Sequence, residues 1–278
     1  EAIHSAWHKA IKTLPDFTVI HKQDWYIKES YAPDLAIEDQ SFLSKSYQRH
    51  FNERPFLNHY CYLFLTKTTK ERMRMQSNFS SLCKGTLIPK EIRNKETIHR
   101  FMEAVAQFER IVNDSGFVSL RRLTEEDIIG TEDTQGLLEQ YLTLSRGAGT
   151  PMQDIALGNE EVRIGNKRLS LHTLSDTDDL PGTVSADTRF EKLSTDRSDC
   201  RLSFAAPVGL LLSCNHIYNQ YIFLDNSEDN LQKFEKSARN MHSLARYSRA
   251  SQINKGWIEK YLNEAHSFGS PSIRAHLN

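Results

Sequence analysis

The residues able to do chemistry in this chain are few, and the patterns that would organise them are incomplete. A phosphate-gripping loop needs G-x-x-x-x-G-K-[ST], because its backbone amides cradle the phosphates, the lysine neutralises them and the hydroxyl holds magnesium. None of the 12 glycines is followed by lysine, so the stretch binds no nucleotide in that manner. Gly147-Ala148-Gly149 begins like a dinucleotide fingerprint, but Met152 stands where the third glycine belongs and Pro151 precedes it, so the run reads as a linker. Asp176-Thr177-Asp178-Asp179-Leu180-Pro181-Gly182 starts like a calcium loop. It then places Leu180 and Pro181 where an oxygen ligand and a glycine are needed, and Asp187 in place of a bidentate glutamate, so it reads as a solvated turn.

Two histidines invite a hydrolase reading. His172 lies close in sequence to Ser170, Ser175 and Asp176, and His216 sits in Asn215-His216-Ile217-Tyr218-Asn219-Gln220. Triads are assembled by the fold and not by adjacency, and the chain has no G-x-S-x-G elbow. His216 reads as a hydrogen-bonded turn histidine, and no H-E-x-x-H or paired spacing supports a metal. The expectation is no catalytic, cofactor-binding or metal residue in this stretch. Two basic segments remain, Lys67 to Arg74 with Phe79 beyond it, and Arg239, Arg246 and Arg249. The first reads as part of a mobile, solvated or partner-facing loop from Lys67 to Lys84, and the second as a helix surface paired with Glu235.

The chain of 278 residues has 35 Lys plus Arg against 36 Asp plus Glu, a formal charge of -1. No global attraction to nucleic acid or anionic lipid follows from that balance, so any basic surface must be local. With 38% hydrophobic and 26% charged residues the composition is that of a folded globular protein. Cys61, Cys83, Cys200 and Cys214 form no C-x-x-C pair, which fits a reduced, cytoplasmic setting. The sequons at Asn78 and Asn113 carry no weight without a secretory route. Glu1 stands where Met would be expected, and the chain reads as a piece of a longer protein. Leu202 to Leu224 lacks charge, yet Pro207, Gly209, Asn215, His216, Asn219 and Gln220 argue against a membrane span. Two buried strands, Gly209 to Cys214 and Tyr218 to Leu224, explain it better.

The elements that must position these residues follow from periodicity. A helix fills the first residues up to Leu14. A strand follows with Phe17, Val19, His21, Trp25 and Ile27 on one covered face. Ser41 to Phe51 is helical, and Tyr60 to Leu65, apolar throughout, is a central strand. Glu96 to Val112 is the clearest helix and ends at Gly116, which suits a left-handed cap. Phe117 to Leu123 reads as a strand, Thr124-Glu125-Glu126-Asp127 as a capped helix start, and Leu137 to Leu144 as a helix. Gly165-Asn166 marks a hairpin of the II′ kind between Glu161–Ile164 and Lys167–Leu171. His172 to Cys200 is a long loop, and helices cover Leu231 to Tyr247 and Ile253 to Phe268. The sum is α+β, a mostly antiparallel sheet with flanking helices and two lobes, 1–146 and 147–278, divided at Arg146 to Pro151.

Several runs together resemble the amino-terminal region of the TraG conjugation proteins of Bacteroides conjugative transposons. They are Phe64-Leu65-Thr66-Lys67-Thr68-Thr69-Lys70, Leu174 to Gly182, Ser203-Phe204-Ala205-Ala206-Pro207-Val208-Gly209, Cys214 to Tyr221 and Glu235 to Met241. The resemblance covers essentially the whole chain. It implies a VirB-type ATPase of a type IV secretion channel, placed at the inner face of the inner membrane. This stretch would be its non-catalytic docking and assembly domain, contacting inner-membrane channel proteins and neighbouring subunits of a homo-oligomer. The P-loop, ATP and magnesium would belong to a domain beyond Asn278. The alternative is a single-stranded nucleic-acid-binding module or part of a DNA-coupling protein. ATP turnover by the purified 278-residue chain should be undetectable; hydrolysis at the rate of the full-length protein would overturn this reading.

Overall fold

The computed structural model describes residues 2–30, 41–70, 88, 90–143, 153–159, 161–173, 188–189, 191, 194–198, 201–202, 213–268 and 275–277. The expected linker from Gly147 to Pro151, the acidic turn from Asp176 to Gly182 and the expected strand up to Leu212 lie outside the described residues. In chain order the elements are α1 (Ala2–Thr13), β1 (Thr18–Glu29), α2 (Phe42–Asn52), β2 (Phe56–Lys67), α3 (Lys95–Asp114), α4 (Glu125–Ile129) and α5 (Leu137–Thr143). Then come β3 (Ile155–Leu157), β4 (Val162–Ile164), β5 (Lys167–Leu169), β6 (Thr188–Arg189), β7 (Arg201–Leu202), β8 (His216–Leu224), α6 (Ser227–Leu244), α7 (Arg249–Phe268) and β9 (Ala275–Leu277). The fold is α+β with antiparallel sheets and flanking helices. One sheet has the order β2-β1-β8-β9, another β3-β4-β5, and β6 pairs with β7.

The chain divides into two compact units. The first comprises Glu1–Lys22, Leu63–Arg121 and Asn219–Asn278, and the second Gln23–Tyr62 and Arg122–Tyr218. Neither is one continuous stretch, and the divisions fall inside β1, β2 and β8.

In the first unit α1 and α3 supply the helical side of the core. Ala10, Ile11 and Leu14 recur at helical spacing and are buried with Phe108 and Val112 of α3 and with Ile20, Ile222 and Leu224 of the strands. Trp7 meets the Phe108 ring edge-on at 5.5 Å. Asn94 caps α3 by accepting from the Glu96 amide. Beyond its end Gly116 takes the left-handed conformation at φ 73°, as its position past the apolar stripe predicts. The strand expected from Phe117 to Leu123 does not form. The Asn113 side chain accepts from the Leu120 amide at 2.6 Å and donates to its carbonyl at 3.3 Å. A side chain thus takes the place of a strand partner there, and Phe117 and Val118 stay exposed. Helices α6 and α7 pack on each other, with Asn226 capping α6 through the Asp229 amide at 3.0 Å.

In the second unit the indole of Trp25 is fully buried between the rings of Tyr62 and Tyr141, at 5.3 and 5.4 Å. The capping box at α4 is complete, since Thr124 bonds the Asp127 amide while the Asp127 carboxylate accepts from the Thr124 amide. Gly130 and Gly136 bring the ends of α4 and α5 so close that a side chain at Gly136 would lie 2.3 Å from the Gly130 nitrogen. The β4–β5 hairpin turns at Gly165, φ 57°, with no positive φ at Asn166, which is the II′ pattern.

Three further expectations need correction. Alternation put one covered face along the whole of β1, but burial changes parity across Lys22. Thr18 and Ile20 are buried in the first unit, whereas Gln23, Trp25 and Ile27 are buried in the second. Strand β2 is the edge of its sheet, not its centre; its apolar run is half-buried and no residue in it is fully so. The polar region after His172 is not a featureless loop, because Thr188–Arg189 pairs with Arg201–Leu202.

The Phe108 ring is buried in the first unit's core. Phe108→Ala should therefore lower the unfolding free energy by about 3–5 kcal/mol. Chemical denaturation checks this, and a loss below about 1 kcal/mol would mean the cluster is not the core.

Candidate docking surfaces

The core of the first unit claims Ile20, Ile222 and Leu224. Side chains alternate along a strand, so their neighbours Val19, His21, Tyr221 and Phe223 go to the other face. There the imidazole of His21 stacks on Tyr221 with centroids 4.0 Å apart and planes 12° from parallel. Phe64 lies 5.5 Å from His21 on its other side, and Phe223 is 6.4 Å from Tyr221. The His21 Nε2–H donates to Asn219 Oδ1 at 2.9 Å, which fixes the tautomer and the ring plane. Tyr221 is 38% exposed. The result is a row of flat, polarisable rings across three strands, with a phenol hydroxyl as polar handle.

At one end of these strands the turn Pro15-Asp16-Phe17 is gripped from several sides. Phe17 adopts φ 59°, a left-handed conformation unusual for a bulky side chain. Its amide donates to the Leu224 carbonyl at 2.7 Å and its carbonyl accepts from the Thr68 amide at 2.9 Å. The Lys67 ammonium donates to the Asp16 carbonyl at 2.5 Å and sits 5.4 Å over the Phe17 ring. The Asn226 amide group donates to the Asp16 carboxylate at 2.7 Å. Lys70 is paired with Asp229. The expectation of a solvated basic loop is thus wrong for its first two lysines, which are half-buried and engaged in the first unit. Residues 71–87 of that segment, Phe79 among them, lie outside the described residues.

The second unit has a row of its own. Tyr26 stacks on His59 at 4.8 Å and on His216 at 4.6 Å, so three rings from β2, β1 and β8 lie side by side. His59 Nε2–H donates to the Asp24 carboxylate at 2.9 Å, and that side chain is only 8% exposed. His216 Nδ1–H donates to the Cys214 carbonyl at 2.9 Å. Its Nε2 is therefore the bare nitrogen, and it is buried with no hydrogen-bond partner among the described residues. Nearby, Glu29 accepts from Tyr60 at 2.6 Å and from Asn58 at 2.8 Å.

His216 is thus hydrogen-bonded as expected, but from the start of a strand and not from a turn. His172 is exposed, and among the described residues no hydrogen bond joins it to a nucleophile. Asp24 and His59 have the geometry of the orienting half of a triad. No hydroxyl or thiol bonds either His59 or His216 among the described residues, however, so none of these is placed as the third member. Periodicity missed His21, Asp24, Tyr26, His59 and Tyr221 because each gains its neighbours only when distant strands pair. Arg239, Arg246 and Arg249 are exposed, and Arg239 makes no ion pair with Glu235 among the described residues.

Among the described residues no three His, Cys, Asp or Glu converge on a metal position, and no helix is long and apolar enough to cross a membrane. A shallow crevice of about 20 Å³ lined by Leu142, Thr143, Ile164, Lys167, Arg168 and Leu169 is partly open to solvent and too small for a small-molecule site. No protein-family model and no curated protein matches this chain.

Burial lowers the pKa of the Lys67 ammonium from its ordinary 10.5, and Asp16 offsets this in part. The unfolded chain then binds more protons than the folded one between the two values, so stability gains from rising pH in that alkaline window. Denaturation of the protein and of Lys67→Gln across that window should show the native protein gaining on the variant as pH rises; a loss would contradict the burial.

Proposed function

We propose that this chain is a non-catalytic docking and assembly domain of a conjugative-transfer ATPase, contacting channel proteins at the inner face of the inner membrane and neighbouring subunits. The open ring face of the first unit carries the reading. His21, Phe64, Tyr221 and Phe223 lie on the face opposite a helix-covered core. Rigid aromatic side chains with few rotatable bonds lose little entropy when covered, which is why they serve as anchors at protein interfaces. The histidines support the same view. Their ring faces stack and one nitrogen of each bonds the protein's own groups, so they shape a surface. The resemblance to the TraG proteins supplies the setting, with ATP and magnesium assigned to a downstream domain.

A second reading rests on the parallel stack of His21 and Tyr221. Nucleobases stack on such rings at about 1–3 kcal/mol each, whatever their sequence. It is the weaker reading because Lys67 and Lys70 are already engaged and so are not free to meet phosphates.

Tyr221→Asp combined with Phe223→Ser in the full-length parent should reduce conjugative transfer from donor cells by about tenfold or more while the purified protein keeps its melting temperature. Unchanged transfer would overturn the docking role of this face. Salt-sensitive binding of a single-stranded oligonucleotide that Tyr221→Ala abolishes would favour the second reading.

A further inference from the structure

Helices α6 and α7, both in the first unit, are joined by the turn 245–248 and pack on each other. Around that turn the charge is of one sign. From Lys236 to Ile258 the chain carries Lys236, Arg239, Arg246, Arg249 and Lys255 and not one Asp or Glu. Helix α6 keeps its carboxylates, Glu228, Asp229 and Glu235, in its first half, away from the turn. Lys255 is tied to Glu259 at 3.6 Å. The other four cations are exposed and make no ion pair among the described residues.

On α7 the cations share a face with the apolar residues. Arg249, Ile253 and Trp257 recur at spacings of four and Lys260 follows three later. At about 100° per residue all four fall within about 80° of one another. Ile253 is 54% and Trp257 66% exposed, and the Lys260 ammonium sits 5.6 Å over the indole ring. The opposite side, with Ser251, Lys255, Ile258 and Leu262 half-buried, is the one turned to the protein. In the turn itself Tyr247 is 87% exposed. The next carboxylates, Glu259 and Glu264, come only as α7 runs away from the turn.

We propose that the turn 245–248 and the outer face of α7 dock on an anionic lipid bilayer, with Tyr247, Ile253 and Trp257 entering the headgroup region and Arg249 and Lys260 meeting lipid phosphates. Indole and phenol rings suit that layer because one part of each is apolar and another polar. Arginine and lysine suit it because their stems lie along apolar surface while the charged heads stay wet, and Lys260 already lies over Trp257 in this way. Charge identifies the partner, since each Lys or Arg near an anionic leaflet adds to the attraction and no carboxylate around the turn subtracts from it. The apolar stripe is too small to anchor the chain unaided, so binding is reversible and depends on anionic lipid. A nucleic acid suits the face less well. A stacking platform offers a bare ring face with further rings in line, whereas Lys260 stands over this indole and the residue one turn before it is the aliphatic Ile253. The proposal goes beyond the docking reading, which names protein contacts only, and uses none of the ring face on which that reading stands.

The test is flotation of the whole chain at low salt with vesicles of phosphatidylcholine alone or with about one third phosphatidylglycerol. The chain should float with the mixed vesicles and not with the neutral ones, and added salt should release it. Ile253→Ser with Trp257→Ser, and separately Arg249→Glu with Lys260→Glu, should each weaken partitioning at least about tenfold. Lys45→Glu with Arg54→Glu, the same change of net charge in the second unit, should leave it unchanged. All substituted positions are exposed, and melting temperatures check that folding is retained. Vesicles with brominated acyl chains should quench tryptophan emission in the native chain and not in Trp257→Phe, because Trp25 is fully buried and Trp7 packs against the core. A chain that floats with both vesicles alike or with neither overturns the proposal. So does binding that the α7 variants leave intact or the α2 variant weakens equally, or emission that brominated lipid does not quench. A chain that ignores vesicles but self-associates, or binds a single-stranded oligonucleotide through Trp257, overturns it too. Loss of this lipid contact alone leaves the docking reading standing, because that reading is scored by transfer with the Tyr221 and Phe223 variants and not by vesicle binding.

Discussion

The first unit depends on holding Phe17 where its backbone resists being held. A bulky residue at φ 59° costs of the order of 1–3 kcal/mol, and it persists because the surrounding bonds leave it no alternative. Its amide and carbonyl are tied to Leu224 and Thr68, the preceding carbonyl to Lys67, and the Asp16 carboxylate to Asn226. Thr18 closes the turn with a hydroxyl bond of 2.7 Å to the Pro15 carbonyl. These ties fix where β1 begins. Strand side chains alternate, so a slip of one residue would send Thr18 and Ile20 outward and bring Val19 and His21 into the core. The ring row of His21, Phe64 and Tyr221 thus exists because a strained turn sets its register.

The same alternation explains what the histidines do. A ring in a cross-strand row spends its faces on stacking and its two edge nitrogens on whatever the backbone offers. His59 spends Nε2 on Asp24, and His216 spends Nδ1 on the Cys214 carbonyl, leaving a buried bare nitrogen. A general base needs that edge within reach of a substrate proton, in a pocket that excludes water. Here one nitrogen of each ring is held by the protein's own groups, and stacking on Tyr26 fixes the ring planes. Chemistry-bearing residue types serve as structure when their geometry is used up in this way.

Local rules were readable where the answer lies within one element. Helix α3, the Thr124 cap, the Gly116 end and the Gly165 hairpin all follow from spacing and from residues with a single physical use. Wherever distant chain decides, the sequence misled. The run from Tyr60 to Leu65 has the composition of a central strand, but composition does not say whether a second neighbour arrives. Phe117 to Leu123 has strand character too, until one asparagine side chain satisfies the backbone that a partner strand would have taken. Lys67 and Lys70 read as solvated cations because nothing nearby in sequence announces Asp16 or Asp229. In β1 the apolar positions appeared to share one face because burial switches parity in mid-strand. The ring rows were beyond reach for the same reason, since pairing brings together positions some 200 residues apart, as in the His21–Asn219 bond, |i−j| of 198.

Composition conceals one further property. Apolar content is ordinary at 38%, yet among the described residues 11 hydrophobic side chains are buried while 23 large ones are exposed. Scattered exposed apolar residues need no explanation, but stripes do. Leu43, Tyr47 and Phe51 form one on α2, and Ile253 with Trp257 forms another on α7, where Lys260 covers part of the indole at 5.6 Å. Charge is concealed likewise. A total of -1 suggests a surface of mixed sign, whereas α2 is basic and the α4–α5 corner wholly acidic. Lys45 and Arg49 stand on the far side of α2 from Leu43, Tyr47 and Phe51, so they do not screen the stripe from water. A helix that buries no apolar face is held by its local interactions, here the Ser41 cap and the Arg49–Glu53 pair.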